Sequence, residues 1–145
     1  MQRRLLMLSV VLSVIGFGIS GYSFAHHESF VSGAFCNVND SFSCDIVNRG
    51  PYSDLFGIPV ALIGMIGYTF LFAGSVLCLK RPEDLPARTF LLLAAAGGLA
   101  FSFYLTGIEA FVLKTWCLLC LMSQLSIAAI FAMSAHARIK MRRRK

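Results

Sequence analysis

Charged side chains are scarce in this sequence of 145 residues, at 14% of the total, whereas hydrophobic residues make up 57%. A typical soluble domain carries about 25% charged residues, and the mean hydropathy of +0.74 is likewise too high for one of this size. The sequence also lacks a glycine-rich nucleotide motif that would bind a flavin or a dinucleotide. The composition therefore predicts a small membrane protein without room for a second folded domain.

Long apolar runs fill most of the chain and are almost free of charge in their cores. A membrane helix needs roughly 20 apolar residues to cross about 30 Å of hydrocarbon. Four runs approach this length: 5–24, 58–79, 90–113 and 118–135. We therefore expect an all-α membrane protein, a four-transmembrane-helix bundle that forms one domain over residues 1–145. The first run, which ends near Ala25, also fits a cleavable secretory signal.

Lysine and arginine are distributed very unevenly around these four runs. Eleven of the thirteen precede the first run, separate the second from the third or follow the last: Arg3, Arg4, Lys80, Arg81, Arg88, Arg138, Lys140, Arg142, Arg143, Arg144 and Lys145. The positive-inside rule then places both termini in the cytoplasm and the segments 25–57 and 114–117 outside. The net charge of +6 is therefore interpreted as a topology signal, and we expect contact with a lipid bilayer rather than with nucleic acid.

Four of the five cysteines fall on the predicted outer side: Cys36, Cys44, Cys117 and Cys120. Outside a plasma membrane, or in an endoplasmic reticulum lumen, conditions are oxidising, so paired thiols form structural disulfides or cycle between dithiol and disulfide. Cys78 lies near the opposite end of the second run, beside Lys80. We interpret Cys78 as a small packing residue.

Cys117 and Cys120 form a C-x-x-C at the predicted start of a helix, which brings both sulfurs onto one face. A helix N-terminus stabilises a thiolate, and a low thiol pKa is what a disulfide-exchange catalyst requires. Trp116 suits the membrane boundary, so we expect Cys117 near the surface and Cys120 about one turn, roughly 4–5 Å, deeper. Cys36 and Cys44 enclose a polar, flexible segment. The two pairs together predict an electron relay from a soluble dithiol to a small acceptor in the bilayer.

Two other interpretations of the four outer cysteines remain open. A C-x-x-C with a second pair is a zinc-ligand pattern, but no histidine adjoins either pair, and we expect no metal site. Two structural disulfides are the other alternative, although a disulfide closed within one helical turn constrains the unfolded chain little. The adjacent His26 and His27, beside Glu28, are interpreted as membrane-boundary residues and not as metal ligands.

Further motifs accompany the cysteines in a fixed order: Cys36-x7-Cys44-Asp45, Tyr52, Phe56-Gly57-Ile58-Pro59, Gly64-x2-Gly67-Tyr68 and Cys117-x2-Cys120. Over nearly the whole chain this set resembles the vitamin K epoxide reductase family in its bacterial branch. The resemblance implies an outer loop that caps a quinone site at the end of the bundle. It implies further that Cys44 exchanges with Cys117, that Cys36 meets the redox partner and that Cys120 meets the quinone.

The resemblance also implies a function. It suggests a DsbB-like thiol oxidoreductase of a bacterial inner membrane that re-oxidises a periplasmic thioredoxin-like (DsbA-like) protein, with ubiquinone or menaquinone as electron acceptor. The basic C-terminal segment leaves no room for a fused thioredoxin-like domain, so the partner is expected to be separate. The polar residues that grip vitamin K in animal members are not evident, since Val60 and Gln124 stand in their places. The alternatives are a vitamin K quinone or epoxide reductase, and a non-enzymatic membrane adaptor with structural disulfides.

Three side chains are candidates for contact with the quinone. Gln124 lies four residues after Cys120 and on the same helical face, where its amide can bind a quinone oxygen or, equally, another helix. Tyr68 is a hydrogen-bond donor at a suitable depth, with a packing role as the alternative. Phe56 is expected to form the side of the site that faces the cap. Asp45 is expected to cap a short helix over the site. Glycines within the runs are expected at close helix contacts: Gly64, Gly67, Gly97 and Gly98.

Overall fold

The computed structural model describes residues 2–32, 36–39 and 41–142, and these form a helical bundle with a small cap. The elements in chain order are α1 Gln2–His27, α2 Cys44–Asn48, β1 Asp54–Leu55, β2 Ile58–Pro59, α3 Val60–Lys80, α4 Leu85–Ile108, a π-helical turn Glu109–Leu113 and α5 Leu118–Arg142. Arg143, Arg144 and Lys145 of the predicted basic cluster lie outside the described residues.

Four helices of the described chain are long and apolar enough to cross a membrane, with the π-helical turn continuing α4. Helix α1 packs against α3 and α5, and α4 packs against the same two helices, so the four close into a ring. Large apolar side chains such as Leu93 and Leu125 point away from this ring and stay exposed. An apolar outer surface of this kind suits lipid contact. The predicted all-α four-helix membrane bundle is confirmed.

The best-packed part of the bundle lies away from the paired cysteines. Leu71, Leu91 and Ile130 meet there from three different helices, and Cys78 is fully buried among them, as the packing interpretation predicted. Arg88 is also buried at this end, where its Nη1 donates to the Ala137 carbonyl at 3.0 Å. That hydrogen bond satisfies part of a charge that would otherwise be costly inside the protein.

The second predicted run begins two residues before its helix. Ile58 pairs with Leu55 in an antiparallel hairpin, so α3 starts at Val60 and not at residue 58. Phe56 and Gly57 form the hairpin turn with φ of 54° and 80°, which is the left-handed pair that a tight two-residue turn requires. The hairpin therefore fixes where the cap ends and the membrane helix starts.

The start and the end of α4 are explained by the residues at those positions. The Asp84 carboxylate accepts the Ala87 N–H at 3.3 Å and caps α4, whose first turn also holds Pro86. At the opposite end of this helix the chain widens into the π-helical turn and stops at Lys114, which has a left-handed φ of 52°. This reversal directs the chain into the start of α5, where the C-x-x-C lies.

Candidate redox site

Helix α2 lies over one end of the bundle and holds the first cysteine pair. Cys36 and Cys44 are joined by a disulfide, and both are buried, with exposed fractions of 1% and 0%. Asn37 organises the segment between them, because its Oδ1 accepts the Ser43 hydroxyl at 3.2 Å and the Asp45 N–H at 3.3 Å. The disulfide is therefore held inside the cap and not on a free loop.

The cap places this disulfide against the start of α5. Trp116 N–H donates to the Ser41 carbonyl at 2.9 Å, and Phe42 forms a bridge with Trp116. This backbone pairing leaves the Cys44 and Cys117 sulfurs 3.3 Å apart. Such a separation suits thiol–disulfide exchange, in which a thiolate attacks a neighbouring disulfide sulfur.

Three sulfurs, those of Cys36, Cys44 and Cys117, lie within 4.8 Å of one another. A zinc site would need all of them as thiolates. Cys36 and Cys44 are bonded to each other in this form and carry no thiolate. The arrangement is that of an exchange centre, with a disulfide facing a free thiol.

Cys117 directly precedes the first residue of α5, and its carbonyl accepts the Leu121 N–H at 3.1 Å. The Cys120 thiol hydrogen-bonds the Cys117 sulfur and lowers the pKa of Cys117, with help from the N–H groups of Cys120 and Leu119, against the opposing effects of burial and the Glu109 charge. A lowered pKa favours the thiolate, which is the nucleophile and the better leaving group. The helix N-terminus expected from the C-x-x-C also favours a thiolate at Cys117.

A cavity of about 60 Å³ lies between the cap and the bundle, and the side chain of Cys120 forms part of its wall. Most of the wall is apolar: Val47, Pro59, Val60, Ala61, Leu105, Ile108 and Leu113. Asn48 adds a free donor, since Ser23 Oγ donates to its Oδ1 at 2.9 Å while its buried Nδ2 has no partner among the described residues. These features fit a quinone, with apolar walls for the ring, an amide for a carbonyl oxygen and a thiol beside them.

Glu109 is the functional candidate that sequence reasoning missed. Its carboxylate is buried, with 3% exposed, and lines the same cavity as Cys120. Its Oε2 accepts the backbone N–H of Cys117 at 3.0 Å. The available signal was an acidic residue at the end of an apolar run, but in the sequence alone Glu109 stood at the border of a loop.

Asp45 does not cap α2, so that prediction was wrong. The N-cap is Ser43, whose own side chain makes no capping hydrogen bond, and Asn37 Oδ1 accepts the Asp45 N–H instead. Asp45 lies in the first turn instead, where its Oδ1 is 2.8 Å from Nε2 of the buried His26 and its other oxygen contacts Asn37. The carboxylate therefore ties the cap to the end of α1.

His27 makes a second link between α1 and the cap. Its Nδ1 lies 2.6 Å from the Asn48 carbonyl, and its Nε2 lies 3.5 Å from Asp54 Oδ1. The two adjacent histidines thus face different partners, His26 towards Asp45 and His27 towards Asn48 and Asp54. Both contribute to positioning the cap that carries Cys44.

The other predicted quinone contacts are not on the cavity wall. The Tyr68 hydroxyl donates to the Ser123 carbonyl at 2.7 Å, and Gln124 Oε1 lies 2.9 Å from the Thr106 hydroxyl. Phe56 is at the hairpin tip with 98% of its surface exposed. Their assignment to the quinone site stays a prediction that rests on the family resemblance.

A disulfide facing a free C-x-x-C thiol at one end of a four-helix membrane bundle defines a membrane thiol–disulfide oxidoreductase. The model of the vitamin K epoxide reductase family matches residues 7–135, and the chain belongs to this family. Members are oxidoreductases of the membrane that use quinones as electron carriers and generally work with a thioredoxin-like partner.

Proposed function

We propose that this protein is a quinone-linked thiol oxidase of a bacterial inner membrane. It oxidises the dithiol of a separate periplasmic thioredoxin-like (DsbA-like) protein and passes two electrons to ubiquinone or menaquinone. One observation carries the proposal: each sulfur has the next as its neighbour, with Cys36 bonded to Cys44, Cys44 3.3 Å from Cys117, and Cys120 on the cavity wall.

The first step is exchange with the partner. A partner thiolate attacks Cys36, the bond to Cys44 breaks, and a second partner thiol resolves the mixed disulfide, so that the partner leaves oxidised and both cysteines are reduced. Cys36 is only 1% exposed. The partner must therefore displace the segment around Cys36 before attack.

The second step moves the electron pair into the bundle. The Cys44 thiolate attacks Cys117 of a Cys117–Cys120 disulfide, and Cys120 leaves as a thiolate. Cys36 then attacks Cys44, which restores the outer disulfide and leaves Cys117 and Cys120 both reduced. This end point has the bonding seen here, with an outer disulfide and two inner thiols.

The third step takes place at the cavity. Quinone, when bound, supplies a two-electron sink for the reduced pair. Asn48 would hold a quinone oxygen through Nδ2, because Ser23 Oγ donates to the amide oxygen Oδ1 and thereby sets the direction of the amide. A volume of about 60 Å³ is small for a substituted ring. Entry of the ring therefore requires the cap to move outward.

The test is turnover of the purified protein with a reduced thioredoxin-like dithiol and a soluble ubiquinone or menaquinone analogue, followed by quinone absorbance. We expect turnover in the wild type and in Cys78→Ser, whose sulfur is buried away from the site, and none in Cys120→Ser. Asn48→Leu, which removes the donor at similar size and adds no charge, should raise the quinone KM by roughly 2- to 10-fold, the cost of one hydrogen bond.

Folded wild-type protein that turns over no quinone with any dithiol would contradict the proposal. Vitamin K epoxide is included as a second acceptor. Reduction of the epoxide at a rate similar to that of the quinone would assign the protein to the vitamin K reductases instead. Full activity of Cys120→Ser would contradict the electron path and return the inner pair to a structural role.

A further inference from the structure

Glu109 is an unusual residue for its position. Among the described residues it is the acidic side chain that falls inside a helix able to span the membrane, and it is 3% exposed. A carboxylate within the apolar part of a bilayer costs several kcal/mol when ionised, so such residues commonly mark proton paths or ligand sites. None of the thiol–disulfide exchange steps uses Glu109.

The carboxylate contacts both residues of the inner pair, Cys117 through its backbone and Cys120 through its thiol. Oε2 accepts the Cys117 N–H at 3.0 Å, and the Cys120 thiol faces the carboxylate within hydrogen-bonding reach. The π-helical turn produces this placement, because the chain widens at Glu109 and its backbone carbonyl accepts the N–H groups of Lys114 and Thr115. Glu109 is therefore held by backbone contacts on its own element and by α5.

Few other ionisable groups face the carboxylate. From α5 these are the thiols of Cys117 and Cys120. His27 from α1 and Tyr52 from the cap line the same cavity. None of these except Cys120 combines contact with the inner pair and a place on the cavity wall. Among the described residues, Glu109 is the carboxylate that both contacts the two inner cysteines and lines the cavity in which a quinone oxygen would bind.

We propose that Glu109 carries the protons released by Cys117 and Cys120 when this pair is oxidised. The inference rests on the proposed function and identifies a further catalytic residue for it. In the balanced reaction two S–H bonds break and one S–S bond forms, while two electrons leave for the quinone. Glu109 accepts each thiol proton in turn, donates it to a quinone oxygen, and ends in its starting protonation state.

Proton transfer by a positioned side chain contributes typically about 10²- to 10⁴-fold to a rate. Glu109→Gln isolates this contribution, because glutamine keeps an oxygen to accept the Cys117 N–H but cannot take up a proton. Glu109→Asp retains a carboxylate but places it one methylene further from the two thiols. Glu83→Gln, on the exposed loop between α3 and α4, is the matched control.

Two half-reactions distinguish exchange with the partner from oxidation of the inner pair by quinone. In the first, a reduced partner transfers electrons to the Cys36–Cys44 disulfide in protein whose inner pair is already reduced. In the second, reduced protein is mixed with a soluble quinone, quenched in acid, and its remaining thiols are counted. We expect Glu109→Gln to leave the first unchanged and to slow the second roughly 100-fold or more. Glu109→Asp should restore part of the rate, and Glu83→Gln should change neither.

A third measurement needs no quinone. The Glu109 charge raises the pKa of Cys117, so Glu109→Gln should lower the pH at which the thiolate absorbance of Cys117 appears. An unchanged thiolate titration would overturn the inference whether or not the wild type turns over quinone, so this failure is distinguishable from a failure of the proposed function. A wild-type rate of inner-pair oxidation in Glu109→Gln would overturn it too, as would an equal loss in both half-reactions.

Discussion

The two inner cysteines have different surroundings although only two residues separate them. Cys117 lies at the start of α5, where the Cys120 thiol and two backbone N–H groups stabilise its thiolate. Cys120 lies one turn into the helix, on the cavity wall. This difference suits a relay in which Cys117 exchanges with Cys44 and Cys120 faces the acceptor.

The lowered pKa of Cys117 leads to a prediction at the scale of one residue. Because the Cys120 thiol is the largest cause of the shift, Cys120→Ala should raise the Cys117 pKa. The thiolate would then appear only at higher pH, and exchange with Cys44 would slow at neutral pH. The measurement is thiolate absorbance against pH with the outer disulfide intact.

Cys78 is also free, so this titration uses a Cys78→Ala background. Cys78→Ala alone is the reference, and its titration should show the lowered pKa of Cys117. A Cys117 pKa that stays the same or falls further in the double variant would show that the backbone N–H groups, and not the Cys120 thiol, hold the thiolate.

The four cysteines of the redox site could be selected from the sequence, because spacing and the order of the apolar runs alone predict them at one end of the bundle. Glu109 and Asn48 could not, because their burial depends on the π-helical turn and on how the cap docks on α1. Gln124 shares a helical face with Cys120, yet Thr106 from α4 lies against its amide oxygen. Helical spacing gives the face of a residue but not the neighbour that the face meets.

At the scale of elements, the contact between α1 and α3 depends on a glycine. A Cβ at Gly16 would overlap the ring of Tyr68, whose hydroxyl in turn binds Ser123 on α5. Gly16→Ala should therefore push Tyr68 out of place and destabilise the bundle by about 1–3 kcal/mol, the usual cost of overpacking. Thermal unfolding in detergent, followed by ellipticity, measures this.

Gly18→Ala is the matched control on the same helix. A Cβ at Gly18 meets nothing within 4 Å, so this variant should unfold at the wild-type temperature or slightly above it, because alanine is the better helix former. Equal effects of the two substitutions would mean that helix propensity, and not the contact with Tyr68, determines the result.

Of the close helix contacts predicted at four glycines, the structure shows some and not others. Gly64 meets Ser20 and Gly98 meets Ile127, so those two predictions are confirmed. Gly67 and Gly97 have open space where a Cβ would lie, so the prediction was wrong for them. A glycine in an apolar run indicates that close approach is possible, whereas the rotation of the helix decides whether a neighbour is there.

At the scale of the whole molecule, hydropathy was enough to predict four spanning helices, because a bilayer requires each span to satisfy its own backbone hydrogen bonds. The cap was harder to predict. Its form depends on the Cys36–Cys44 disulfide and on contacts of His26 and His27 that come from another part of the chain. Local sequence cannot specify such contacts, which explains the wrong assignment of Asp45 as a helix cap.

The orientation of the bundle follows from charge at its two ends. Lys80, Arg81 and Arg88 lie at the end opposite the disulfide. By the positive-inside rule we expect that end in the cytoplasm and the redox site outside, where a disulfide persists. In this orientation the cap would face a partner outside the cell membrane.

This orientation predicts which loops an impermeant maleimide can reach in intact cells. Single cysteines are introduced as Glu28→Cys, after α1, and as Glu83→Cys, before α4, in a background whose native cysteines are replaced by alanine. Glu28→Cys should label in intact cells, and Glu83→Cys only after the membrane is permeabilised, when both should label. Labelling of Glu83→Cys alone in intact cells would invert the topology. The redox site would then face the reducing cytoplasm, where the outer disulfide could not be maintained, and the proposed oxidase would have no substrate.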